Sequence, residues 1–288
     1  MSVLAHRSRA SRQTHWRKAC ALFVFFLLAT PSRPAAAFHT PEQPITDDTA
    51  YTLPRHQVRL GIWKAEYGIV APLSAGTYIW PWLLAISNLH AKLRLYQGDA
   101  FTIAVSAGFF HFDTKSLRHV DATASRATVD VVPYDVLMSY RFDDRYTLSL
   151  DSVFTNVKVD GKLRRTDFQS AGAGAVNNYQ LNTTFEWRYT RVTAFVANLR
   201  YLVFQRTSAN LDWESHPDRY TTVVIRGSAQ SEALDFHGAA SLTLSSVMSW
   251  KYFNLRLGLG YGHYNVPGLN FVLGKPSWFP DLDAFWLF

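Results

Sequence analysis

Charged side chains recurring at alternate positions are where this sequence could do chemistry. Arg94, Arg141 and Arg188 each stand two or three residues before a short polar turn, and Arg256 stands four residues after one. Arg200 continues the same phase, and Asp135, Asp151, Glu186 and Asp283 share it. In an extended strand residues two apart lie on one face, so these nine charges oppose the large apolar side chains around them. Two chemistries suit such an inner wall. A ring of like charge sorts ions by sign, here in favour of anions. Alternatively the charges pair with one another, because an unpaired charge held away from water is costly.

Catalytic and metal-binding patterns are sparse. Residues 38–288 contain eight of the ten histidines, none spaced i,i+4 and none in HExxH, so no metal site is expected. The only cysteine is Cys20, leaving the rest of the chain without disulfides or thiolate ligands. No Gly-x-Ser-x-Gly or His-x-Ser occurs there, and a serine nucleophile needs a base within hydrogen-bond reach. His263 and the serines at 245–249 are the one pair that could meet across strands. No cofactor motif is found, and SAGAGA at 170–175 reads as a loop that lacks the lysine of a phosphate cradle.

The charges are positioned by period-two segments. In YQLNTTFEWRY, 179–189, Tyr179, Leu181, Phe185, Trp187 and Tyr189 oppose Gln180, Asn182, Thr184, Glu186 and Arg188. FNLRLGLGYGHY at 253–264 and ASLTLSSVMSW at 240–250 repeat the pattern, with further copies at 86–96, 101–112, 129–142, 146–159 and 192–204. Most are close to the ~9–11 residues that a tilted strand needs to cross a hydrocarbon layer. Mean hydropathy is only −0.07, as alternation dictates for strands with one lipid face and one polar face.

Connections alternate between short (near 70–72, 97–100, 143–145, 190–191 and 251–252) and long (113–128, 160–178, 205–238 and 265–278). Aromatic residues flank four of the five short turns, as an interfacial girdle would. A soluble β-sandwich would also hide an apolar face, but it has no use for aromatics gathered beside its turns. The expected fold is all-β: a transmembrane antiparallel up-and-down barrel of about twelve strands, with ten or fourteen as the neighbouring counts. Counting back from the C-terminus makes 57–69 one strand and requires a short strand at 49–53 to complete twelve. TTVVIRG at 221–227 belongs to an outer loop on this reading. Pro133 removes a ladder donor, so it marks a bulge or its strand starts at Tyr134.

Residues 1–37 have the three parts of a cleavable export signal: a basic start, the apolar core ACALFVFFLLA and a small-residue site, PAAA. The core is too short to span a bilayer as a helix. This segment holds six of the 29 basic residues and no acid, leaving 23 basic against 22 acidic residues in the 38–288 domain. Balanced charge there argues against nucleic acid as a partner.

The chain ends in FPDLDAFWLF, with Phe288, Trp286, Ala284 and Leu282 on one face. This resembles the C-terminal assembly signal of bacterial outer-membrane β-barrel proteins, and VRLGIWKAEYGIVAPLSAGTY at 58–78 resembles a strand–turn–strand opening in that class. The resemblance implies export, the Gram-negative outer membrane, insertion by the barrel assembly machinery and contact with outer-membrane lipids. It implies no particular activity. A monomer with a passive structural or small-pore, porin-like role is expected. A lipid-acting hydrolase (lipid A deacylase or phospholipase-like) and a loop-based binding module are the alternatives. Loop bases Arg118, Arg126, Lys162, Arg164, Arg165 and Arg219 would suit lipopolysaccharide phosphates. Deleting Phe288 is expected to leave periplasmic, protease-sensitive protein. Protease shaving of intact cells checks this, and normal surface exposure of the truncated barrel would contradict it.

Overall fold

A computed structural model describes residues 43–114, 125–164, 168–218, 221–229, 238–266 and 268–288. Residues 1–37, where an export signal is expected, and the loop bases Arg118, Arg165 and Arg219 lie outside the described residues. The strands are β1 (Val58–Gly61), β2 (Lys64–Val70), β3 (Leu73–Tyr78), β4 (Ser87–Gln97), β5 (Phe101–Asp113), β6 (Ser125–Arg141) and β7 (Tyr146–Arg164). They continue with β8 (Phe168–Trp187), β9 (Thr193–Asp218), β10 (Thr221–Ala229), β11 (Ala239–Ser249), β12 (Phe253–Val266) and β13 (Phe271–Leu287). A five-residue helix, α1 (Ile79–Leu83), follows β3.

All pairings are antiparallel between chain neighbours, except that β9 pairs with β11 and β13 closes onto β1. The result is a closed ring of twelve strands. β10 stands outside it, paired with the Ala209–Asp218 extension of β9 beyond the stretch that β11 uses. The reading of 221–227 as no crossing agrees with this placement.

Twelve is reached by a different partition from the one the sequence suggested. Residues 49–53 form no strand; they lie inside the ring. The twelfth strand comes instead from 57–69, which folds as two strands about Ile62 and Trp63, with Leu60 opposite Ala65. Inward positions change parity there, Arg59 and Gly61 before the turn and Lys64, Glu66 and Gly68 after it, which a single strand could not do.

Two further expectations are corrected. β6 runs straight through Pro133 with no register shift, and Thr155 of β7 pairs with it. On the β5 side Gly108 faces the proline ring, and a Cβ there would come within 3.0 Å of Pro133 Cγ. The supposed loop 160–178 is almost entirely strand, because β7 and β8 stay paired from Tyr146↔Trp187 to Arg164↔Gln169. SAGAGA therefore lies in β8. Such small residues hide a strand from hydrophobic patterning, and at ~3.3 Å per residue the 20 residues of β8 far exceed a ~30 Å hydrocarbon core.

Burial is inverted relative to a soluble protein. Leu244 (58% exposed), Leu259 (53%) and Leu95 (59%) point outward, while Thr147, Ser149, Thr184 and Glu186 are fully buried inside. A large, continuous apolar exterior marks a lipid-facing surface. At the short-turn end the outer aromatics touch ring to ring: Tyr146 on Trp187, Trp187 on Tyr189 and Phe195, and Trp250 on Phe253, which meets Trp286 at 4.8 Å. No described helix is long and apolar enough to cross a membrane. The strands do the crossing. Leu244→Arg is accordingly expected to destabilise the folded barrel in lipid vesicles by ~2–4 kcal/mol. Urea titration followed by the mobility of unboiled protein in detergent gels measures it; a neutral effect would place this face in water.

Candidate functional site

Twelve strands make a ring intermediate between small barrels filled by side chains and wide aqueous porins. What occupies this one is its own N-terminal segment, residues 43–55, folded into the short-turn half of the lumen. Three apolar side chains of the segment seat in three apolar sockets of the wall. Ile45 packs with Ala194, Val196 and Val247; Ala50 with Ala104 and Leu137; Leu53 with Phe285 and Leu287. Fully burying an Ile or Leu is worth ~1.5–3 kcal/mol, so the sockets alone supply several.

Polar contacts fix the register of the segment. Asp47 accepts from Arg59 Nη1 at 2.7 Å and Lys64 Nζ at 2.9 Å. Its neighbour Asp48 accepts from Arg200 Nη2 at 3.3 Å and Asn198 Nδ2 at 2.9 Å. Lys92 Nζ donates to the carbonyls of Asp47 and Thr49, both at 2.9 Å. Thr46 Oγ1 donates to Glu186 at 3.1 Å, and the Ala50 amide donates to Ser139 Oγ at 2.8 Å. Carbonyls of a non-helical segment inside a barrel need such donors, since buried backbone groups are rarely left unpaired.

The charges anticipated on the inner wall fall into two groups. Arg94 and Arg141 sit at the rim, donating to the turn carbonyls of Ala71 and Asp99. Arg188, also at the short-turn end but buried, donates to Glu186 at 2.9 Å and to Thr147 at 2.9 Å. Asp283 accepts from Arg59 at 2.9 Å, and Arg256 pairs with Asp281 at 3.2 Å. Arg200 meets Asp48, as above. Asp135 and Asp151 are hydrogen-bonded by Ser106 and Asn182. The four arginines considered for a constriction are thus each taken by a partner of their own.

Sequence reasoning did not single out Asp47, Asp48, Arg59, Lys64, Glu66, His90 or Lys92. Asp47 and Asp48 precede the strand expected at 49–53, and a single strand over 57–69 puts Arg59 and Lys64 on opposite faces. Their inward phase was recoverable only from the parity change at Ile62 and Trp63.

Above the plug a polar chamber of about 180 Å³ remains, lined by Lys64, His90, Asp135, Asp151 and Arg256 among others. At its long-loop end the tight β12–β13 turn folds inward. Asn270 O accepts from Gln180 Nε2 at 2.6 Å, and Leu269 packs on the cluster of Phe110, Val131, Val157 and Val176. The chamber is narrowed from both sides.

The hydrolase constellation does not assemble. Ser245 lies opposite Gly258, five residues along β12 from His263, a separation of about 16 Å at strand rise. Of the loop bases proposed for lipopolysaccharide, Arg126 donates to Asp113 at 3.0 Å, and the side chains of Lys162 and Arg164 lie outside the described residues.

The sequence matches no protein-family model, and no curated protein is significantly similar to it. Among solved structures the chain is similar to the toluene transporter TodX of Pseudomonas putida, with 11% identity over 87% of this chain and 73% of that one and a TM-score of 0.44. It is also similar to the translocator domain of autotransporter NalP from Neisseria meningitidis (10% identity, 80% and 84% covered, TM-score 0.33). The outer membrane protease OmpT of Escherichia coli is a further one (6% identity, 80% and 89% covered, TM-score 0.35).

The buried Arg188–Glu186 pair yields a quantitative expectation. Arg188→Ala strands a carboxylate on a fully buried Glu186 and should cost about 3–5 kcal/mol, measured by urea unfolding in vesicles. Adding Glu186→Gln should recover much of the loss. Arg126→Ala, which breaks a half-exposed pair, should cost under ~1 kcal/mol.

Proposed function

We propose that this protein is an outer-membrane barrel with a passive role, and that residues 43–55 hold its lumen shut at the short-turn end. The observation that carries this reading is the seating of Ile45, Ala50 and Leu53 in separate wall sockets, with Asp47 between Arg59 and Lys64. A general porin keeps a continuous aqueous path. Here the wall supplies matched apolar and charged receptors for a segment of the same chain. The small-pore reading then describes the barrel with that segment withdrawn, and the hydrolase reading has no described histidine near the serines at 245–249. Placement in the outer membrane rests on the inverted strand faces, the aromatic girdle and the C-terminal resemblance.

Planar-bilayer recording tests the closure. The intact barrel is expected to conduct little and only in brief openings, whereas deletion of 43–53 should give steady conductance. Unboiled gel mobility is the check that the deleted protein still forms a barrel. The double variant Ile45→Asp, Leu53→Asp keeps the chain length and should conduct in the same way. Equal steady conductance by the intact and deleted proteins would overturn the closure.

A further inference from the structure

The chamber above the plug contains a charge imbalance that the closure does not use. Asp47, Asp48, Glu66, Glu186, Asp281 and Asp283 each lie within 3.3 Å of a basic group. Asp135 and Asp151 have no ion-pair partner among the described residues. Lys92 shares the row of Asp135 through Ser106, but its ammonium is bonded to the Asp47 and Thr49 carbonyls; Arg200 shares the row of Asp151 through Asn182, but its guanidinium pairs with Asp48. Two carboxylates facing one chamber without a paired cation repel each other.

Their geometry is specific. Asp135, Asp151 and Asn182 occupy the successive strands β6, β7 and β8, all facing the chamber. Asp151 pairs directly with Asn182, at about 5 Å, and Asp135 is one diagonal step from Asp151, at about 7–8 Å. Ser106 and Asn182 each donate to one carboxylate oxygen. That leaves three buried acceptors without a partner: Asp135 Oδ1, Asp151 Oδ1 and Asn182 Oδ1. Asp151 and Asn182 are each only 4% exposed. Independently, His90 is 8% exposed and lines the same chamber with both ring nitrogens unpartnered.

We infer that this corner of the chamber binds a primary ammonium group, which has one positive charge and three N–H donors. One charge offsets much of the repulsion, and three donors match three orphan acceptors on three adjacent strands. A metal ion fits less well: no group of three or more His, Cys, Asp or Glu among the described residues is arranged to ligate one. His90 supplies a further hydrogen-bonding group, so the ligand class is a small polar amine. The inference rests on the closed-lumen reading only in that the plug forms the floor of the chamber.

The test uses the whole barrel refolded in detergent. Its melting midpoint is followed by unboiled gel mobility at constant ionic strength, with methylammonium, tetramethylammonium or calcium chloride as probe. Methylammonium should raise the midpoint in a saturable way; tetramethylammonium, which has no N–H donor, should not. Asp151→Asn and Asp135→Asn should each weaken the apparent affinity at least about tenfold, the loss of one charge-assisted hydrogen bond. Asp99→Asn, on an exposed turn, should leave it unchanged. Equal effects of the two ammonium ions, no effect of either, or a response to calcium alone would overturn the proposal. So would undiminished methylammonium binding in both chamber variants. Steady conductance by a wild type that still binds methylammonium would overturn the closure and leave this site standing.

Discussion

Inside a hydrocarbon layer no water is present to satisfy a peptide group, and the rest of this structure follows from that constraint. Each strand must pair on both edges, so the sheet must close. Closure falls to its shortest member. β1 has four residues, and its ladder to β13 consists of Arg59↔Leu287, Leu60↔Trp286 and Gly61↔Phe285. So short a seam is reinforced from within. Arg59 reaches Asp283 on β13 and lies 4.2 Å above the Phe285 ring, while Leu53 of the plug packs on Phe285 and Leu287. Because Arg59 also holds Asp47, seam and plug share one guanidinium.

The same constraint reverses the usual division of labour among side chains. Most large apolar residues face lipid, so apart from the plug sockets and the Phe110 cluster the interior depends on hydrogen bonds and ion pairs. Low dielectric penalises each unmatched group there. The segment 43–55 supplies partners to several of them. Its carbonyls take the Lys92 ammonium, its two aspartates balance Arg59, Lys64 and Arg200, and its threonine at 46 reaches Glu186. Without it, several buried cations would face an empty space.

How far the sequence could be read depended on the range of the interactions involved. Strands β8, β11 and β12 were legible because alternation is local and their outward residues are large. The inward phase of Glu186, Arg188 and Asp283 followed from the same parity. Their partners did not, because pairing Arg59 with Asp283 requires the ring to close across 224 positions. β7 and β8 extend past the apolar band, where no lipid face is needed, and Gly–Ala alternation there gives hydrophobicity nothing to register. The plug was hidden for another reason. Ile45, Ala50 and Leu53 are spaced five and three apart, which fits neither a helix nor a strand, and each answers to a socket built by distant strands.

The two ends of the plug leave the lumen on the same side. Arg188, in the β8–β9 turn, donates to Gln43 O at 3.5 Å, and the Thr52 hydroxyl donates to the carbonyl of Ala71 in the β2–β3 turn. The segment is therefore a re-entrant loop and threads nothing. A strand passing through a closed ring could leave only by drawing its whole free length through or by breaking the sheet. A loop that enters and exits at one mouth can slip out and return while all twelve strands stay paired. Ordering it costs roughly 1–2 kcal/mol of backbone entropy per residue, a cost refunded on every withdrawal. Occupancy of the lumen by residues 43–55 is thus a balance of contact and ordering free energies, which the topology of that segment does not lock.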